Sequence, residues 1–240
     1  MATHQVRLKS RREIAEGTMA FHFEKPPGFA FKAGQAIAWT LLDPPETDDE
    51  GATRNFTIAS APVEADLMIA TRMRDSAFKR VLKTMPLGTE VRIVGPFGSL
   101  ILHPDAARPA VFLAGGIGIT PFRSMLRQAA EQKLPHQLFL FYSNRRPEDA
   151  AFLEELEELE KENINYKVIG TMTDMARSNR VWRGETGFIN QEMLTKYIGD
   201  LAAPVYYIAG PPAMVAAMRL ALSKANIADD NVRAEEFSGY

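Results

Sequence analysis

Apolar and polar residues alternate over Gln5–Ser10 and Met19–Glu24, the pattern of strands with one buried face. Gly34–Leu41, Phe56–Ala59, Leu67–Met73 and Glu90–Val94 extend this series. Turn clusters interrupt it at Lys25-Pro-Pro-Gly28 and at the acidic stretch Asp43–Gly51, which reads as an exposed loop. One helix is predicted here, Ala77–Lys83, closed by Pro86 and Gly88. Short strands with turn signals and a single helix predict a small antiparallel barrel.

Near Arg108-Pro109 the period changes. The apolar runs Ala110–Ala114, Gln137–Tyr142, Tyr166–Ile169 and Val205–Ala209 read as buried strands. Helical patterns follow at Pro121–Glu131, Ala150–Glu162, Gln191–Tyr197 and Ala213–Ala225. Alternating strands and helices predict an α/β domain on a parallel sheet. The expected division is 1–105 for the barrel and 106–240 for the α/β domain, whose C-terminal tail returns to the barrel's ligand.

Composition narrows the chemistry. The 240 residues include no cysteine, which excludes disulfides, thiolate zinc sites and a cysteine-ligated iron–sulfur cluster within them. The four histidines are scattered and lack ligand spacing, so no metal site is expected. A formal net charge of −2 gives no nucleic-acid footprint. Met1–Glu13 is polar and basic, without the apolar run of a secretory signal. No apolar run reaches the ~18–20 residues of a membrane span. A cytoplasmic location is the expectation.

Two glycine/proline turns follow buried strands and open helices. In Gly115-Gly116-Ile117-Gly118-Ile119-Thr120-Pro121 the glycines permit a tight turn and close backbone approach to a phosphate, with Thr120 read as the N-cap. Gly210-Pro211-Pro212-Ala213-Met214 repeats the arrangement at the same end of the sheet, where open α/β sheets bind ligands. Between them, Asn144-Arg145-Arg146 follows the second strand, where the two arginines are candidates for a ribose 2′-phosphate. A plain structural turn or an exposed loop is the other reading of each.

In the barrel, Arg54-Asn55-Phe56-Thr57 joins a guanidinium, a ring and a hydroxyl. Alternation sets Arg54 and Phe56 on one face and Thr57 on the other. Arg54 is a candidate for a pyrophosphate, Phe56 for ring stacking and Thr57 for a hydrogen bond to a flavin nitrogen. Thr71-Arg72-Met73 leads to Ser76-Ala77, where Ser76 caps the helix and its first N–H groups suit a phosphate. At the far end, Glu235-Glu236-Phe237-Ser238-Gly239-Tyr240 either frays or docks an aromatic on a flavin ring.

Taken together these segments resemble the ferredoxin–NADP reductase-like superfamily. Arg54–Thr57 resembles its Arg-x-Tyr-Ser/Thr flavin motif, with phenylalanine for tyrosine. Phe31–Gln35, Asp75–Phe78 and Gly95–Gly98 resemble its other barrel motifs. Gly115–Pro121 is similar to its nicotinamide-nucleotide motif. Gly210–Met214 is similar to its Cys-Gly-Pro-Pro-x-Met motif, although Ala209 stands where cysteine is usual. The resemblance implies a flavin-binding six-stranded antiparallel barrel followed by a nicotinamide-binding α/β domain, and an NAD(P)H-dependent flavoprotein reductase with FAD as cofactor. By it Thr57 lies near the flavin N5, Glu235 relays a proton, and Phe237 or Tyr240 covers the ring. The missing cysteine puts hydride-transfer rate in question. NADPH is slightly favoured over NADH. The implied acceptor is a separate redox protein (ferredoxin, flavodoxin or oxygenase component) or a small molecule. The alternatives are a subunit of a larger electron-transfer complex and a non-catalytic nucleotide-binding module.

Overall fold

The computed structural model describes residues 2–237. The chain runs through β1 (Ala2–Ala15), β2 (Thr18–Glu24), β3 (Ala36–Leu41), β4 (Thr53–Thr57), β5 (Asp66–Arg72), α1 (Ala77–Thr84) and β6 (Glu90–Phe97). These six strands form an antiparallel sheet ordered β4-β3-β6-β1-β2-β5. The edges approach each other just after β4, where Ala59 N donates to Met68 O at 2.7 Å and Met68 N donates to Ser60 Oγ at 2.9 Å. Inward positions of the strands, among them Val6, Phe21, Phe23, Ile37, Trp39 and Ile93, fill the barrel. The amphipathic α1 closes it with Phe78, Val81 and Leu82. The first strand is longer than predicted: β1 carries fourteen residues and pairs with both β2 and β6.

The second half contains β7 (Ala110–Gly115), α2 (Ile119–Glu131), β8 (Leu138–Asn144), α3 (Leu153–Glu162), β9 (Tyr166–Met172), β10 (Glu185–Thr186), α4 (Gln191–Ile198), β11 (Val205–Gly210), α5 (Pro212–Lys224) and β12 (Val232–Glu236). Its sheet is parallel throughout, in the order β10-β9-β8-β7-β11-β12. β7 and β11 are adjacent interior strands and are buried along their whole length, as continuous apolar runs require. The two-domain architecture is the one the sequence predicts.

Several boundaries move. α2 begins at Ile119, because a 3-10 turn over Gly116–Gly118 already bends the chain into helical geometry. Thr120 is therefore inside the helix, and its Oγ1 donates to Ile117 O at 3.2 Å, so it is no N-cap. α3 starts late because Phe152 sits at φ 61°, the left-handed region, which breaks the run from Ala150. Val232–Glu236 is a strand parallel to β11, a segment for which the sequence predicted no element, and it takes in Glu235 and Glu236 of the terminal stretch read as either fraying or docking. Among the described residues no helix is long and apolar enough to cross a membrane, and no group of three or more His, Asp or Glu converges on a metal.

Candidate functional site

The halves meet along α2. The Gly116–Gly118 turn packs against β5, and Ile119 and Phe122 share a core with Ala59 and Ala70 of the barrel. One turn further on, Arg123 Nη1 donates to Ala59 O at 2.8 Å and pairs with Glu64 at 2.8 Å, while its Nη2 meets Glu155 at 2.6 Å. Ser124 Oγ donates to Ser60 O at 2.7 Å. The helix that opens at the glycine turn thus grips the segment directly following Thr57. Burial works against Glu64, but the Arg123 guanidinium holds its carboxyl below the usual range.

On the barrel side, Arg54 and Phe56 share a face, as alternation predicts. Both lie by Phe78: the Arg54 guanidinium is 5.4 Å from that ring and Phe56 is 5.7 Å from it. Thr57 is 4% exposed and its Oγ1 has no hydrogen-bond partner. Ser76 caps α1, accepting from Lys79 N at 3.3 Å. Thr71 is buried, Met73 N donates to Gly17 O at 2.8 Å, and Asn55 is exposed. Arg72 turns to the other domain, pairing with Asp149 at 3.1 Å.

On the α/β side, the two glycine/proline turns touch. A Cβ on Gly115 would lie 2.2 Å from Met214 Sδ and 3.0 Å from Pro211 Cδ. One on Gly118 would lie 2.3 Å from Ala209 O. Pro212 takes the first position of α5, where its fixed φ fits. At the end of β8, Asn144 is buried with Nδ2 unpartnered. Arg145 is exposed, whereas Arg146 is committed to Asp149 at 2.9 Å and Glu16 at 2.8 Å. Sequence reasoning missed these carboxylates, one of which comes from a residue 130 positions away.

The C-terminal strand completes the region. Glu235 pairs in register with Ala209, Glu236 with Gly210, and Phe237 N donates to Gly210 O at 3.0 Å. Glu235 lines a cleft of ≈ 610 Å³ with Gly34, Ala36, Phe97 and Ser99. Burial raises its carboxyl above the ordinary value. Phe237 is partly buried against the α/β core. Tyr240 lies outside the described residues.

A family model, the oxidoreductase NAD-binding domain, matches residues 112–220. The chain is 30% identical to ferredoxin–NADP reductase B of Sorangium cellulosum (strain So ce56) over 247 residues, covering 97% of each protein. The chain belongs to the ferredoxin–NADP reductase-like family. Residues 112–220 accordingly carry its oxidoreductase NAD-binding domain. A subunit of the Na(+)-translocating NADH-quinone reductase of Pseudoalteromonas atlantica (strain T6c / ATCC BAA-1087) is 31% identical over 207 residues. The chain spans only 48% of that relative's length, against 84% of its own. A crystal structure of a ferredoxin NADP+ reductase from Neisseria gonorrhoeae, described with bound FAD and NADP, superposes with a TM-score of 0.81 at 20% identity and 98% coverage of both chains.

The residues present suit the family's cofactors. A buried hydroxyl without a partner, Thr57 Oγ1, is costly unless a bound polar group satisfies it, and a flavin ring carries polar atoms of that kind. Asn144 Nδ2 is a second such atom, at the carboxyl end of the parallel sheet. Gly115, Gly118 and Gly210 keep the neighbouring turn free of Cβ atoms that the packing could not accept.

Proposed function

We propose that this chain transfers electrons from NAD(P)H through FAD to an acceptor outside these 240 residues. The supporting observation is Thr57 Oγ1, buried and unpartnered, next to the segment that α2 holds against the nucleotide turn. When bound, FAD supplies the exchange between a two-electron donor and one-electron acceptors. In this proposal Arg54 and the start of α1 bind its pyrophosphate, with Ala77, Ser76, Arg72, Met73 and Thr71 lining the approach. Phe56 stacks on its flank, Asn55 borders it, and Thr57 hydrogen-bonds the ring. Gly115, Gly116, Gly118, Thr120 and Pro121 form one wall of the nicotinamide nucleotide's site, and Gly210, Pro211, Pro212 and Met214 the other. Glu235, whose carboxyl burial raises above its ordinary value, is the group that relays a proton. Phe237 covers the ring face. Alignment and electrostatics are the protein's share of catalysis.

The purified protein's visible spectrum is the first test. A yellow protein is expected, and a colourless one that takes up neither FAD nor FMN defeats the proposal. Thr57→Ala is expected to keep the flavin while slowing its reduction by NAD(P)H about tenfold, the loss of one hydrogen bond at the reacting ring. Stopped-flow absorbance measures this, and unchanged kinetics count against the role of Thr57.

Donor choice rests on the end of β8. Arg146 is held by Asp149 and Glu16, so Arg145 is the cation left for a 2′-phosphate, and Asn144 borders it. The proposal favours NADPH slightly. Arg145→Ala is expected to lower kcat/KM for NADPH about tenfold and leave NADH unaffected. Equal bleaching by both donors in the wild type removes the assignment.

The similarity to the Na(+)-translocating reductase supports a second reading, in which the chain works as the reductase part of a larger electron-transfer assembly. Acceptor reduction that appears only on adding a second redox protein is the result that favours it.

A further inference from the structure

The acidic loop 43–51, between β3 and β4, is not simply solvated. Asp48 sends Oδ1 to Arg54 Nη2 at 2.8 Å and accepts a hydrogen bond on Oδ2 from Ala77 N, the first residue of α1, at 3.0 Å. Glu50 adds its carboxylate to Arg54 Nε at 2.9 Å. Arg54 Nη1 donates to the carbonyls of Glu50, Gly51 and Thr53. Further along α1, Glu46 pairs with Arg80 at 2.6 Å. The loop is therefore fastened to the guanidinium and the helix start that the proposed function gives to the flavin's pyrophosphate.

A carboxylate that bridges a guanidinium and a helix N-terminal N–H makes the contacts a phosphate makes. We propose that Asp48 is an internal anion in the diphosphate position of the flavin site, and that FAD binds by displacing it, so that residues 46–51 act as a strap whose release sets flavin affinity. This inference rests on the flavin reading above. Arg54 and Ala77 N cannot serve both anions, and a diphosphate beside an undisplaced Asp48 and Glu50 would face like charge.

The strap is built to let go. Asp43 and Gly51 bound it at φ 44° and 71°, and Pro44-Pro45 stiffen its first part, which leaves 46–51 to move. Its pairs sit at the surface. Glu50 is 76% exposed and Glu46 41%, so each is weak and screened by salt. The Arg54 guanidinium keeps Asp48 ionised by holding its carboxyl below the usual range.

The test is the affinity of the flavin-free full chain for FAD and for riboflavin, which has no phosphate, by quenching of flavin fluorescence. Asp48→Asn is expected to bind FAD about tenfold more tightly than the wild type, with riboflavin affinity equal in both proteins. Its melting temperature without flavin should fall, and its gain on saturation with FAD should exceed the wild-type gain. FAD affinity that is unchanged or weaker in Asp48→Asn overturns the proposal, as does tighter binding of both flavins alike. Hydrogen–deuterium exchange on the wild type gives a second measurement that needs no variant. FAD should raise exchange over 46–51 and lower it over 77–80, and added protection over 46–51 overturns the strap. FAD binding by neither protein defeats the flavin reading itself, a result distinct from equal affinities.

Discussion

Replacing Gly118 with alanine is expected to spread the two glycine/proline turns apart and remove most of the nicotinamide-nucleotide affinity. The added Cβ would fall 2.3 Å from Ala209 O, 2.5 Å from Ala209 C and 2.7 Å from Gly210 N. All three are backbone atoms of β11. That strand is paired to β7 on one side and β12 on the other, and Ala209 is fully buried. β11 has no room to yield, so the Gly116–Gly118 turn must lift. Overpacking of this kind costs about 1–3 kcal/mol. For a chain of this size that is roughly 2–10 °C in melting temperature. The larger effect is expected on function, since the lifted turn is one wall of the proposed nucleotide site. The apparent Kd for NAD(P)H in stopped-flow flavin reduction should rise at least tenfold with flavin content intact. Wild-type donor affinity in the variant removes the assigned wall.

Arg123→Met is the second large change. Arg123 is 5% exposed and holds two carboxylates, Glu64 from the barrel and Glu155 from α3, together with Ala59 O. Its guanidinium also lies 5.1 Å from the Phe152 ring. Methionine fills the space but leaves those carboxylates facing each other without a cation. Breaking a buried pair from one side costs roughly 3–5 kcal/mol. A drop of about 10 °C in melting temperature is expected, and calorimetry should show two transitions in place of one if the domains come apart. The pH dependence gives a sign. Glu64 has a folded pKa below its ordinary 4.5, so its contribution is complete above 4.5 and is lost as pH falls through the lower folded value. Wild-type stability should fall in that acid range, and the fall should shrink in Arg123→Met. An equal slope in both proteins would show that this pair does not carry the acid loss.

Much of this was legible in residue order because the strongest signals are local. Alternation marked the barrel strands, and buried apolar runs followed by glycine marked β7 and β11. Ser76 reads as a cap from its position alone, and it is one. What escaped the sequence depends on distant partners. Nothing near Arg54 in the pattern of 43–51 says that Asp48 reaches both it and Ala77. Arg146 looked available because Glu16 lies 130 residues away. β12 has a half-exposed, weakly patterned sequence and becomes a strand by pairing with β11. Thr120 failed as a cap because glycine geometry upstream had already started the turn.

α2 runs out from the nucleotide turn, and its grip on Ala59 and Ser60 begins only four residues beyond Ile119. That is about 6 Å of helix. The spacing between the glycine turn proposed to cradle the donor and the strand bearing Thr57 is thus fixed by a single turn of backbone, a ruler too short to flex. Lengthening the loops at the rim of either domain, or tilting the outer strands, leaves that ruler unread. An insertion inside 119–124 would change the distance between the Gly116–Gly118 turn and the strand bearing Thr57.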